Sequence, residues 1–215
     1  MMRAGGLLTL AGALLIGVAS APAATAATPA ASKLASASLI RGRDLGSGWH
    51  ESASAPRQAP TLACRGSGGS HVVHELARAA SPTFAQSQQG PFAFEISAVF
   101  GSAASASRWW TQVVHPGLRR CFESVLNASA SGGVKLHATA AQVLPLPGGP
   151  SGLERYRISG QATSSGQSTP IFFDVLLERR GGYVAELQLS SFESPPADAL
   201  ERQLAKAVVR RLPGH

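Results

Sequence analysis

His71 and His74 stand three residues apart, so on a helix their imidazoles would share a face and could hold one metal ion. No cysteine or carboxylate completes a ligand set beside them, and His50, His115, His137 and His215 are scattered. They read as surface histidines, and no metal or other cofactor is expected. Ser67-Gly68-Gly69-Ser70-His71 places serines beside a histidine but lacks the G-x-S-x-G turn that exposes a nucleophile. A Ser-His-Asp arrangement needs convergence in space, which spacing alone does not give. Gly66 to Gly69 lacks the G-K-[ST] ending of a phosphate loop.

Asp174, Glu178 and Glu186 lie within one apolar stretch. Two carboxyls at a suitable separation can share acid and base work in glycoside hydrolysis. Asp174 and Glu178 have equal parity, opposite the apolar residues of their strand, which predicts a solvated sheet face paired with Arg155 and Arg157. Cys64 and Cys121 are the two cysteines. An even count in an exported chain invites a disulfide, the alternative being two buried thiols. Trp109-Trp110 reads as core plus a half-exposed neighbour, and Asn127-Ala128-Ser129 matches a glycosylation pattern.

The elements that must position these groups are mostly strands. Ile171, Phe173, Val175 and Leu177 alternate along one segment, and Tyr183, Ala185, Leu187 and Leu189 along the next. A period of two predicts strands, and Gly181-Gly182 between them predicts a tight hairpin. Phe92, Phe94, Ile96, Ala98 and Phe100 predict a strand with an aromatic face. Val134–Val143 and Glu154–Gly160 read as further strands, the latter with Tyr156 inward and Arg155 and Arg157 outward. The stretch 71–80 is read as extended, with a helix as the alternative. Ser102 is the expected N-cap of a helix with a stripe of Ala103, Ala106, Trp109, Trp110, Val113 and Val114. A second helix from Pro116 would carry Leu118, Cys121, Phe122, Val125 and Leu126 on one face. Leu200, Leu204, Val208 and Leu212 recur every four residues after Pro195-Pro196 and predict a closing helix. The fold class is α+β: an antiparallel sheet of about five or six strands packed against two to four helices in two layers.

Arg3 precedes an uncharged apolar run, Gly5–Ser20, and then Ala24-Thr25-Ala26. This is the pattern of a secretory signal peptide over 1–26 cleaved after Ala26, with Ala21-Pro22-Ala23 as the earlier site. A membrane anchor is the alternative. Residues 27–38, rich in Ala and Ser, read as a flexible leader, and 39–215 as one domain. The formal net charge is +7, from 19 Lys and Arg against 12 Asp and Glu. It is dispersed, which speaks for solubility and weak attraction to anionic surfaces, not for nucleic-acid binding.

Asp44-Leu45-Gly46-Ser47-Gly48-Trp49 resembles the D-L-P-x-G-W opening of exported sensor-type domains of high-GC bacteria, including the extracellular sensor domain of mycobacterial receptor serine/threonine kinases and related secreted lipoproteins. Arg119-Arg120-Cys121 after Trp109-Trp110, the strand 171–178 with Asp174, and the closing helix fit the same pattern. Gly46 stands where the motif has proline, one disulfide is possible where the kinase sensor has two, and there is no kinase domain or lipid-attachment cysteine. The resemblance implies an antiparallel sheet flanked by helices with a ligand-holding cleft. The expected protein is therefore a secreted, non-catalytic ligand-binding or sensing module of the cell envelope. Phe92, Phe94, Phe100, Trp109, Trp110 and Tyr156 are its candidate binding residues. Its expected partner is a small or apolar ligand or an envelope component, and the chain is expected to be a monomer with no membrane span after cleavage. An exported hydrolase and a structural envelope protein are the alternatives.

Overall fold

The computed structural model describes residues 28–52, 75–87, 90–113, 130–131 and 134–212. The expected signal segment, Cys64 and Cys121, His71 and His74, Arg119-Arg120, the helix expected from Pro116 and the sequon at Asn127 lie outside them. The elements are α1 (Pro29–Ser38), α2 (Gly42–Leu45), β1 (His50–Glu51), β2 (Glu75–Ala80), β3 (Phe84–Ala85), β4 (Phe92–Phe100), α3 (Ala103–Val113), β5 (Ala130–Ser131), β6 (Val134–Val143), β7 (Glu154–Ser164), β8 (Gln167–Arg180), β9 (Tyr183–Phe192) and α4 (Asp198–Arg211). The fold is α+β.

The strands form one antiparallel sheet in the order β1-β3-β4-β9-β8-β7-β6-β5, with β2 also pairing β4. At nine strands the sheet is larger than the five or six expected; the excess lies in β1, β3 and β5, two residues each and too short to show a period. β8 and β9 meet at Gly181-Gly182 with Arg180 opposite Tyr183, as the hairpin reading requires. Gly181 takes a positive φ of 53°, open to glycine at little cost.

The register corrects the two-layer picture. Leu176 pairs Leu187, and Leu177 pairs Glu186. The stripe Ile171, Phe173, Val175 and Leu177 therefore faces the opposite side of the sheet from Tyr183, Ala185, Leu187 and Leu189. Both faces are covered. On the near face Leu176, Ala185, Leu187 and Leu189 pack with Ile40, Leu45, Leu204, Ala205, Val208 and Leu212 of the α1–α2 segment and α4. On the far face Tyr156, Ile158, Val175 and Leu177 pack with Trp109 and Trp110 of α3. A strand buried on both faces loses the apolar–polar alternation, and residues 174–178 of β8 are all buried.

The expected flexible leader is also corrected. Pro29–Ser38 is helical, capped by Thr28, whose Oγ1 accepts the Ala31 N–H at 3.2 Å. Ala31 and Ala35 pack on Ala77 and Val99, where small side chains bring the helix close to β2 and β4. Its low hydrophobicity made it read as linker, but alanine has the best intrinsic helix propensity. Glu75–Ala80 is strand, as the extended reading had it. Ser102 Oγ accepts the Ser105 N–H at 3.1 Å, the expected cap on α3.

Candidate functional site

On the far face, α3 follows β4 after two residues and lays its tryptophans on the sheet. The Phe100 and Trp109 rings are 5.7 Å apart and tilted by 42°. Trp110 Nε1 donates to Glu154 Oε1 at 3.3 Å, and the Tyr156 hydroxyl donates to Glu154 Oε2 at 2.9 Å. The Arg179 guanidinium lies 5.9 Å from the centre of the Trp110 ring and donates to Ser107 Oγ. Burial, then Glu154, raises the Tyr156 pKa, so its proton stays on. Four of the six candidate binding residues thus gather: Phe100, Trp109, Trp110 and Tyr156. Phe94 and Phe92 share their face of β4 but lie six and eight residues from Phe100, about 20 Å or more along the strand. Trp109 and Trp110 are half-buried, and Phe100 and Tyr156 are buried. Glu154 and Arg179 complete the group. Glu154 was legible as the same-face neighbour of Tyr156 two residues on, whereas nothing in sequence brings Arg179 to α3.

On the near face, Arg155 and Arg157 of β7, Asp174 of β8, and Asp198 and Glu201 of α4 form an ionic cluster. Arg155 Nη2 lies 2.7 Å from Asp198 Oδ1, 2.9 Å from Glu201 Oε2 and 3.5 Å from Asp174 Oδ2. The pairing of Asp174 with both arginines is as expected; the solvated surface is not. α4 lands on this face, and Asp174 and Glu201 are fully buried. Burial first, and then the Asp174 carboxylate beside it, raises the Glu201 pKa to about 9. With Glu201 neutral, the two guanidinium groups face two carboxylates. This arrangement fastens α4 to the sheet. A carboxyl held between guanidinium groups and sealed from solvent is poorly placed to attack or protonate a substrate.

Other carboxyls are also buried. Glu95 Oε2 accepts the Ile40 N–H at 2.5 Å, which ties the α1–α2 link to β4, and burial raises its pKa to about 8. Burial raises Glu178 and Glu186 to about 7. Glu178 borders a void of about 10 Å³ between α4 and the sheet, with Leu153, Leu176, Leu187, Ala205 and Val208. Glu186 borders another of about 10 Å³, with Arg78, Ile96, Ala98, Trp109 and Val184. Each has room for about one water. The seam beneath α4 is thus filled by side chains.

Among the described residues no group of three or more His, Cys, Asp and Glu is arranged to hold a metal ion, and no helix is long and apolar enough to cross a membrane. His50 and His137 are exposed strand residues. Compared with protein-family models and with curated proteins, the chain matches neither a family nor a relative.

Proposed function

We propose that the chain is an exported, non-catalytic binding or sensing module of the cell envelope, which takes a small or apolar ligand or an envelope component against the tryptophans of α3. The observation that carries this reading is the pair Trp109 and Trp110. They are half-buried side by side, and Glu154 and Arg179 hold the Trp110 ring by its edge and its face. Rigid aromatic rings offer large contact area at small entropic cost, which is why they anchor recognition surfaces. The resemblance to the exported sensor domains supports the same reading. The buried carboxylates do other work: Asp174 and Glu201 are closed in by Arg155 and Arg157.

Native mass spectrometry of the protein exported by its own host tests it. The expected result is an added mass that leaves on denaturation and is absent from Trp110→Ala. An added mass that the Trp110→Ala protein keeps would place binding elsewhere. A bare protein, together with tryptophan fluorescence unmoved by envelope extracts, would overturn the reading.

A further inference from the structure

We propose that the layer formed by α1, α2 and α4 docks on a bilayer of anionic phospholipid. On the outer side of α4 the exposed Lys206 and Arg210 follow the half-buried Arg202 at four-residue steps, about 6 Å apart along one line of the helix. Ala199 and Gln203 fill the rest of that side. Of the acids of α4, Glu201 is buried, and Asp198, which begins the same line four residues before Arg202, is paired with the buried Arg155. α2 lies against α4, where Gln203 Nε2 donates to the Asp44 carbonyl at 2.6 Å. The Asp44 carboxylate is taken by Arg211. This leaves Arg41 and Arg43 exposed beside α4, and Lys33 exposed on α1. Among the described residues no ion pair joins Lys33, Arg41, Arg43, Lys206 or Arg210 to a carboxylate.

Two features favour a bilayer over a soluble polyanion. The cations spread over the outside of three helices in one layer instead of lining a groove. Leu34, next to Lys33, is one of the large apolar side chains left exposed, at 38 %, and suits the headgroup boundary. Cations held against an anionic leaflet each strengthen binding by roughly fivefold, an attraction that falls off within a Debye length. The tryptophans of α3 lie on the opposite face of the sheet and would look away from the bilayer.

The test is co-sedimentation of the exported chain with vesicles containing phosphatidylglycerol and with vesicles of phosphatidylcholine alone. The two vesicles differ in headgroup charge, so the difference between them isolates the charge. We expect binding to the anionic vesicles that weakens roughly fivefold in Lys206→Gln. The charge-matched Arg108→Gln, from α3 on the far face of the sheet, should bind like the parent. Both variants change exposed side chains, and equal melting temperatures would show both folded. Equal losses in the two variants, or no preference for anionic vesicles, would overturn the proposal. So would inorganic polyphosphate binding more tightly than the vesicles at equal phosphate concentration, which would assign the face to a soluble polyanion.

Discussion

Arg157 and Asp174 stand opposite one another across β7 and β8 and join through a two-pronged contact, Nε to Oδ1 at 2.8 Å and Nη2 to Oδ2 at 2.5 Å. The fork of a guanidinium matches the two oxygens of a carboxylate, which makes the pair directional. Asp174 also lies 3.5 Å from Arg155, which is 3 % exposed. Removing the shared carboxylate leaves a buried cation short of a partner. Asp174→Ala should therefore lower stability by about 3–5 kcal/mol, read from the urea midpoint. Arg180→Ala, whose guanidinium is more exposed and sits 3.7 Å from Glu178, should cost less than about 1 kcal/mol.

Stability should fall as pH rises, the reverse of a fold held by ionised surface pairs. Glu178 and Glu186 are raised to about 7, Glu95 to about 8 and Glu201 to about 9, in each case by burial first. Above the unfolded value of about 4.5 the unfolded chain has released these protons and the folded chain still holds them. The folded state is then the one that binds more protons, so each pH unit costs about 1.4 kcal/mol per group until the folded pKa is passed. Urea midpoints between about pH 5 and pH 8 should decline. Glu95→Gln should flatten the slope by about one proton over that window, and its advantage over the parent should stop growing above about pH 8. Midpoints that rise across the window would show these carboxyls ionised in the fold.

Removing residues 28–38 should be costly. Ala35 is fully buried, and Ser38 Oγ donates to Ser97 Oγ at 2.8 Å on the near face of β4. A chain begun at Leu39 would uncover Ala77 and Val99. Its melting temperature should drop by several degrees, as about 1–2 kcal/mol does in a domain of this size. An unchanged melting temperature would return the segment to the role of a linker.

Gly160→Ala should destabilise by about 1–3 kcal/mol without any polar change. A Cβ on Gly160 would lie 2.5 Å from the His137 carbonyl oxygen across β6 and β7. This is next to the irregularity at Ala138/Ala140 in the register of the two strands. Urea unfolding of the variant, with the neighbouring Ala162→Gly for comparison, measures it.

Much of the architecture is legible before folding is considered, because the strand period survives wherever one face differs from the other. Phe92–Phe100 announces itself through its aromatic residues, and Gly181-Gly182 fixes the central hairpin. What the spacing does not carry is which face of one strand continues which face of the next. That depends on whether Leu176 or Leu177 meets Leu187, a shift of one residue. The same gap hid the ionic cluster. Asp174 opposite Arg157 reads as a surface pair until α4 is known to lie over it. Glu201 did leave a trace, since it falls three and seven residues before Leu204 and Val208 and thus among the buried residues of α4. At the α3 site the tryptophans were plain, but their neighbour Arg179 comes from a strand far along the chain.

The helix that closes the ionic cluster follows every strand of the sheet. In a chain synthesised from its N-terminus, β7 and β8 leave the ribosome with Arg155, Arg157 and Asp174 before Asp198 and Glu201 exist. Until α4 emerges, those groups stay hydrated and the apolar face around Leu176 and Leu187 stays open. Completion of the near-face core is therefore deferred until α4 has emerged. The nascent protein passes through a stage in which its sheet is fully encoded and its near face incompletely covered, a substrate for whatever chaperone handles unfinished chains.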